Sequence, residues 1–153
     1  MKKLFPALFL FSLLLSCTDS NRSDDMVACT EELRTISVGV QHKDGSPYAL
    51  DSVKTFIETE VGLKDINIFN DFDSQGFKNC REDGIYPVTG DGLTRHYPDF
   101  VMPTKWDEVK LVGVVIFVGY KDDKELFRKN IKVYTDACHV FCDEKDLAVI
   151  DLE

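Results

Sequence analysis

The chain lacks the short motifs that carry the common enzyme chemistries. It has no Gly-x-Ser-x-Gly elbow, no P-loop, no His-Glu-x-x-His pair and no dinucleotide-binding glycine fingerprint. It also lacks basic charge. Lys and Arg number 18 against 27 Asp and Glu, giving a net charge of −9, which disfavours nucleic acid, whose phosphates need basic patches. No apolar run reaches the roughly twenty residues that a membrane-spanning helix needs. No internal repeat occurs, and no stretch shows a helical period. Histidine is scarce, with 3 residues. His42 and His96 lie in turn-like or irregular sequence and read as exposed. The acidic pairs Asp24-Asp25 and Asp122-Asp123 read as tether and turn residues, not as a glycosidase pair.

What is present begins at the amino terminus. Lys2 and Lys3 precede an apolar run from Leu4 to Leu15, broken only by Pro6 and Ser12. The run has the length of a signal-peptide core. It ends in Leu14-Leu15-Ser16-Cys17, which resembles the bacterial lipobox. That resemblance implies cleavage before Cys17 and a diacylglycerol thioether on its sulfur, often with a further acyl group on the new amine. One chain binds a bilayer marginally, whereas two or three hold it firmly. Thr18 to Asp25 follows without one apolar residue, a composition that cannot pack. Its acidic content resembles the surface-export signals of Bacteroidetes-type lipoproteins. The layout is therefore a signal peptide at 1–16, a lipidated Cys17 and acidic tether at 17–26, and one domain at 27–153. Residues 1–16 carry two of the basic residues and no acid, so the mature chain has a net charge near −11. That disfavours electrostatic attachment to anionic lipid and leaves the holding to the lipid on Cys17. The expected location is the bacterial cell envelope, at the outer membrane.

The domain reads as strands. Ile36, Val38 and Val40 alternate with Ser37, Gly39 and Gln41. Lys43 to Pro47 supplies turn chemistry, and Leu50 to Ile57 returns. Asn70 to Asp83 reads as a long polar loop. Ile85 to Val88 is a short strand turned by Gly90-Asp91-Gly92. Tyr97 to Trp106, with Pro98 and Pro103, is irregular or edge-like. Val109 to Tyr120 is the most apolar stretch, expected as a central strand buried on both faces. Lys121 to Lys124 turns it into Leu126 to Thr135, and Leu147 to Leu152 is a possible last strand. About seven short strands separated by turns indicate an all-β sandwich.

Several segments carry a resemblance. They are Ala28-Cys29-Thr30, Thr35-Ile36-Ser37-Val38, Asp44-Gly45-Ser46-Pro47, Leu50-Asp51-Ser52, Gly84-Ile85-Tyr86-Pro87-Val88, Gly119-Tyr120-Lys121-Asp122 and Asp136-Ala137-Cys138-His139-Val140. Together they resemble a group of small Bacteroidetes-type lipoproteins with a carboxypeptidase-regulatory-like or transthyretin-like (prealbumin-like) domain, from residue 28 to about 140. The resemblance implies a seven-stranded Ig-like or transthyretin-like antiparallel β-sandwich. It implies no activity, since such domains serve mostly as binding or spacing modules. Members often carry two adjacent cysteines before the histidine, where this chain has Ala137.

Four cysteines remain in the domain: Cys29, Cys80, Cys138 and Cys142. In an exported chain two disulfides are the default. Cys138 and Cys142 could close a small loop, or each could reach back, one to Cys29 and one to Cys80. The longer loops remove more entropy from the unfolded chain and favour the second layout. A zinc site using these thiols and His139 is the sharper reading, but Cys-His-x-x-Cys matches no usual zinc spacing. A Cys138–His139 nucleophile would require a free thiol.

One metal motif stands out. Asp71, Asp73, Gln75, Gly76 and Glu82 occupy places 1, 3, 5, 6 and 12 of a calcium-binding EF-hand loop. Gln75 replaces the usual Asp or Asn, and Lys78 sits where an apolar residue packs. Trp106, Tyr97 and Phe100 offer an aromatic ligand surface or, more often for such residues, core. Two functions follow from different classes. One is a non-enzymatic envelope lipoprotein that binds a protein or glycan partner and needs no cofactor. The alternative is a calcium-binding or calcium-stabilised module using Asp71 to Glu82.

Overall fold

The computed structural model describes residues 29, 32–147 and 149–152. The chain is mostly β, and the eight strands among the described residues form two sheets that share one apolar core. β1 (Thr35–His42) lies at the centre of a three-stranded sheet, between β4 (Ile85–Gly90) and β8 (Ile150–Leu152). The second sheet has five strands. Its order is β3 (Gly62–Asp65), β2 (Ser52–Thr59), β5 (Lys110–Lys121), β6 (Lys124–Thr135) and β7 (Val140–Cys142). Every pairing is antiparallel except β1 with β8, which run parallel. Eight strands and one parallel pair replace the expected seven-stranded antiparallel arrangement.

Period-two alternation produces the core. Ile36, Val38 and Val40 of β1 point inward with Tyr86 and Val88 of β4. They meet Val53 and Ile57 of β2, Val115 and Phe117 of β5, and Ile131 and Val133 of β6. β5 is central, with β2 and β6 on its two sides. Its outer face is buried only in part, at Val118. Val114 and Ile116 on its outer face are half-exposed, opposite Lys132 and Asn130 of β6. Asp122 and Asp123 between β5 and β6 take φ of 49° and 59°, two left-handed residues in a two-residue hairpin turn.

The segment read as a long loop contains α1 (Gln75–Asp83). The Ser74 side chain accepts the Phe77 backbone N–H, which satisfies one orphan donor of the first turn. Gly84 ends the helix at φ 68°. A Cβ there would stand 2.7 Å from the Val40 carbonyl oxygen, so glycine is needed for space as well as for φ. Only Phe77 of α1 is buried, packed among Phe69, Phe72 and Tyr86 with ring centroids 5.3, 4.9 and 5.9 Å away. The helix turns Arg81 toward the domain. Its Nε donates to the Leu50 carbonyl and its Nη2 to Asp51. Asp51 also receives Lys121 Nζ and the Asp122 backbone N–H, so one carboxylate joins α1, the start of β2 and the β5–β6 turn.

A 3-10 turn over Asp91–His96 follows β4. The irregular segment after it holds Tyr97 and Phe100 half-buried against the core. The Tyr97 ring lies over Gly113 of β5, where a Cβ would collide with its hydroxyl.

Candidate functional site: the Asp91–His139 cluster and the Cys29–Cys138 disulfide

Asp91 starts the 3-10 turn after β4, at one end of the three-stranded sheet. Its Oδ1 accepts the Val140 backbone N–H at 2.9 Å, and its Oδ2 accepts the Arg34 backbone N–H at 2.8 Å. His139 Nδ1 lies 3.1 Å from the same Oδ2. One carboxylate thus ties the residue before β1 to the first residue of β7, across the two sheets. His139 is buried at 7% exposure.

The turn that delivers His139 is built by Asp136. Its Oδ1 accepts the backbone N–H groups of Cys138 (2.7 Å) and His139 (2.8 Å), an Asx-type turn between β6 and β7. Thr135 Oγ1 donates to the His139 carbonyl at 3.0 Å. Cys138, inside this turn, is joined to Cys29 by a disulfide with Cα atoms 5.3 Å apart. The long-range pairing favoured by loop entropy is therefore present for one bridge. The expected second bridge is not: Cys80 on α1 and Cys142 on β7 retain thiols. Burial, with Asp83 nearby, pushes the Cys80 thiol above its usual pKa, which disfavours the reactive thiolate.

Burial raises the pKa of Asp91, but the Arg34 and Val140 N–H groups and His139 outweigh it and hold the carboxyl below its ordinary range. Asp136 behaves alike: burial raises it, and the Cys138 and His139 N–H groups lower it further. At Asp51 the Asp122 N–H and then Lys121 lower the pKa. A carboxyl with a depressed folded pKa contributes stability above its unfolded pKa, near 3.9. That stability is lost as the pH falls through the folded value. The urea midpoint should therefore drop below pH 4, after a smaller fall between pH 7 and 5 where the unfolded chain protonates His96 more readily than the folded one. Asp91→Asn should flatten part of that drop. Equal midpoints at pH 5 and pH 3 would contradict the assignment.

The other sequence candidates are dispersed. Cys17 lies outside the described residues, as do the whole leader and the tether. Asp71 Oδ1 accepts the Asp73 N–H, while Ser74 Oγ donates to the Asp71 carbonyl. Gln75 and Glu82 sit seven residues apart on α1, which separates them by about 10 Å along the helix axis. Twelve residues that include a helix do not wrap one point. Among the described residues no three His, Cys, Asp or Glu side chains are placed to hold a metal ion. His42 is half-buried and packs against Tyr48 at a tilt, with ring centroids 4.6 Å apart. His96 is half-buried too, and burial lowers its pKa. Neither is fully exposed as the sequence suggests. Trp106 is exposed, whereas Tyr97 and Phe100 are half-buried against the core.

The sequence marked Asp136 to Val140 only through a resemblance, and read Asp91 only as a turn residue. Asp91's partners lie 48 to 57 positions away along the chain, so no local pattern could have indicated them. Chemically the cluster is a clamp: its carboxylate oxygens hold backbone donors, and its cysteine is in a disulfide. No protein-family model, curated protein or solved structure matches the chain.

Proposed function

We propose that the chain is a lipid-anchored lipoprotein of the bacterial cell envelope, held through Cys17 at the outer membrane. Its domain is a non-enzymatic binding or accessory module for an envelope protein or glycan. The Cys29–Cys138 disulfide carries this reading. A structural disulfide belongs to an oxidising compartment, and the Lys2 to Cys17 leader independently has the form of an export and lipidation signal. The two features lie in different parts of the chain and support the same destination. The domain offers a rigid frame, clamped at Asp91 and stapled at Cys138, of the kind on which binding surfaces are displayed.

Replacement of Cys17→Ser tests the anchor. The variant should fold with an unchanged melting temperature and move from the membrane pellet to the soluble fraction. Sedimentation with membranes after a high-salt wash would contradict the anchor. Co-purification from native membranes then tests the accessory role, and one recurrent envelope component in the eluate is the expected result.

A further inference from the structure

The β6–β7 turn and the start of β5 lie at the same end of the five-stranded sheet. Lys110 pairs with Thr135, and Leu111 pairs with Tyr134. The turn that follows Thr135 carries Cys138, and through it Cys29. The chain leading back to Cys17 therefore joins the domain at this end. Twelve positions separate Cys17 from Cys29, so full extension spans at most about 40 Å.

The same end exposes apolar side chains. Val101 is 70% exposed, Trp106 60%, Val109 53% and Leu111 51%. The Lys110 ammonium donates to the Val101 carbonyl, at 3.3 Å, and so brings that loop to the β5 start. On the outer face, opposite the buried Ile131 and Val133, Tyr134 lies between Leu111 and Phe141 in register. The Tyr134 and Phe141 rings stack with centroids 6.0 Å apart. Exposed singly, such residues need no explanation; gathered at one end of a domain, they mark a contact surface.

We propose that this end is a membrane-contact face: Trp106, Val101, Val109 and Leu111 rest in the bilayer interface beside the lipid on Cys17. The inference rests on the lipid anchor proposed above. Two observations select a lipid surface as the occupant. The segment leading to the anchor enters the domain here, and its length keeps this face within reach of the bilayer. An indole ring flanked by aliphatic side chains also suits the headgroup boundary. The contact is apolar, not electrostatic, because Asp99, Asp107, Glu108 and Asp136 lie in the same segments.

Trp106 is the single tryptophan of the chain, so its emission reports this face alone. The test uses the full lipidated protein in phosphatidylcholine vesicles, with bromines placed near the headgroup end of the acyl chains. Vesicle flotation is read first, to score the anchor independently. For floated protein the inference predicts a blue-shifted Trp106 emission, at least twofold quenching by bromolipid and reduced acrylamide quenching. The double variant Val109→Asp and Leu111→Asp should still float, with Trp106 emission returned to that of an indole in water. Flotation with water-like emission and full acrylamide access would overturn the membrane-contact face and leave the anchor standing. Failure to float would overturn the anchor and the inference with it. A blue shift that appears without lipid and grows with protein concentration would assign the face to a second copy of the chain, and would also overturn it.

Discussion

Cys29→Ser and Cys138→Ser should each lower the unfolding free energy by about 4 to 5 kcal/mol, and the double variant should lose no more than either alone. The bridge closes a sequence separation of 109 residues. Chain-entropy arguments give a loop of that length roughly 4.7 kcal/mol, most of it from restricting the unfolded state. Small domains have only about 5 to 15 kcal/mol in total, so either variant should be marginal at 37 °C. The bridge also holds the β6–β7 turn, where Asp136 presents His139 to Asp91. Its loss should therefore loosen the clamp as well as the chain end. Equilibrium urea unfolding measures the effect. Cys80→Ser and Cys142→Ser should stay near the parent stability, because neither residue belongs to a bridge. A loss at Cys80 or Cys142 as large as at Cys29 would mean that the pairing is different.

Phe77→Ala should cost about 3 to 5 kcal/mol, the range for truncating a fully buried aromatic. Phe77 is the only buried residue of α1, and three aromatic rings surround it. Beside it only the smaller, half-buried Cys80 of the helix packs against the core. Arg81 stacks on the same ring, 5.6 Å from its centroid, so the Asp51 junction should weaken too. Phe77→Leu keeps most of the volume and should cost much less. A Phe77→Ala loss below about 1 kcal/mol would show that α1 does not pack as described.

How well the sequence revealed this fold depended on burial. β1, β2, β4, β5 and β6 each bury one side in a common core, and that burial appears as alternation or an apolar run. β3 was not visible because all four of its residues are exposed; only its register with β2 defines it. β7 has three residues, too few for a period. α1 shows no helical stripe because only one of its apolar side chains, Phe77, is fully buried. Its signals were the ends, Ser74 as cap and Gly84 as stop, which are readable in sequence but outweighed by the polar composition between them. β8 was located, but its parallel run beside β1 is a property of tertiary structure that no local pattern encodes.

The site divides along the same line. Each cysteine was identifiable, and loop entropy favoured the long-range partner that Cys138 takes. The near-match to a calcium loop lies over a turn and a helix, which spacing alone does not reveal. Asp71 and Asp73 belong to the turn that starts α1, and the helix carries Glu82 away from them. The Asp91 clamp was invisible because its chemistry depends on two backbone N–H groups, which have no sequence signature.

The account stands most directly on the state of Cys17 in the mature protein. Mass spectrometry of the amino-terminal peptide, from protein extracted out of its own membranes, reads that state. The account predicts a chain beginning at Cys17 and carrying the mass of a diacylglycerol thioether, with or without a further acyl group. A mature chain that begins elsewhere, or an unmodified Cys17, would contradict it.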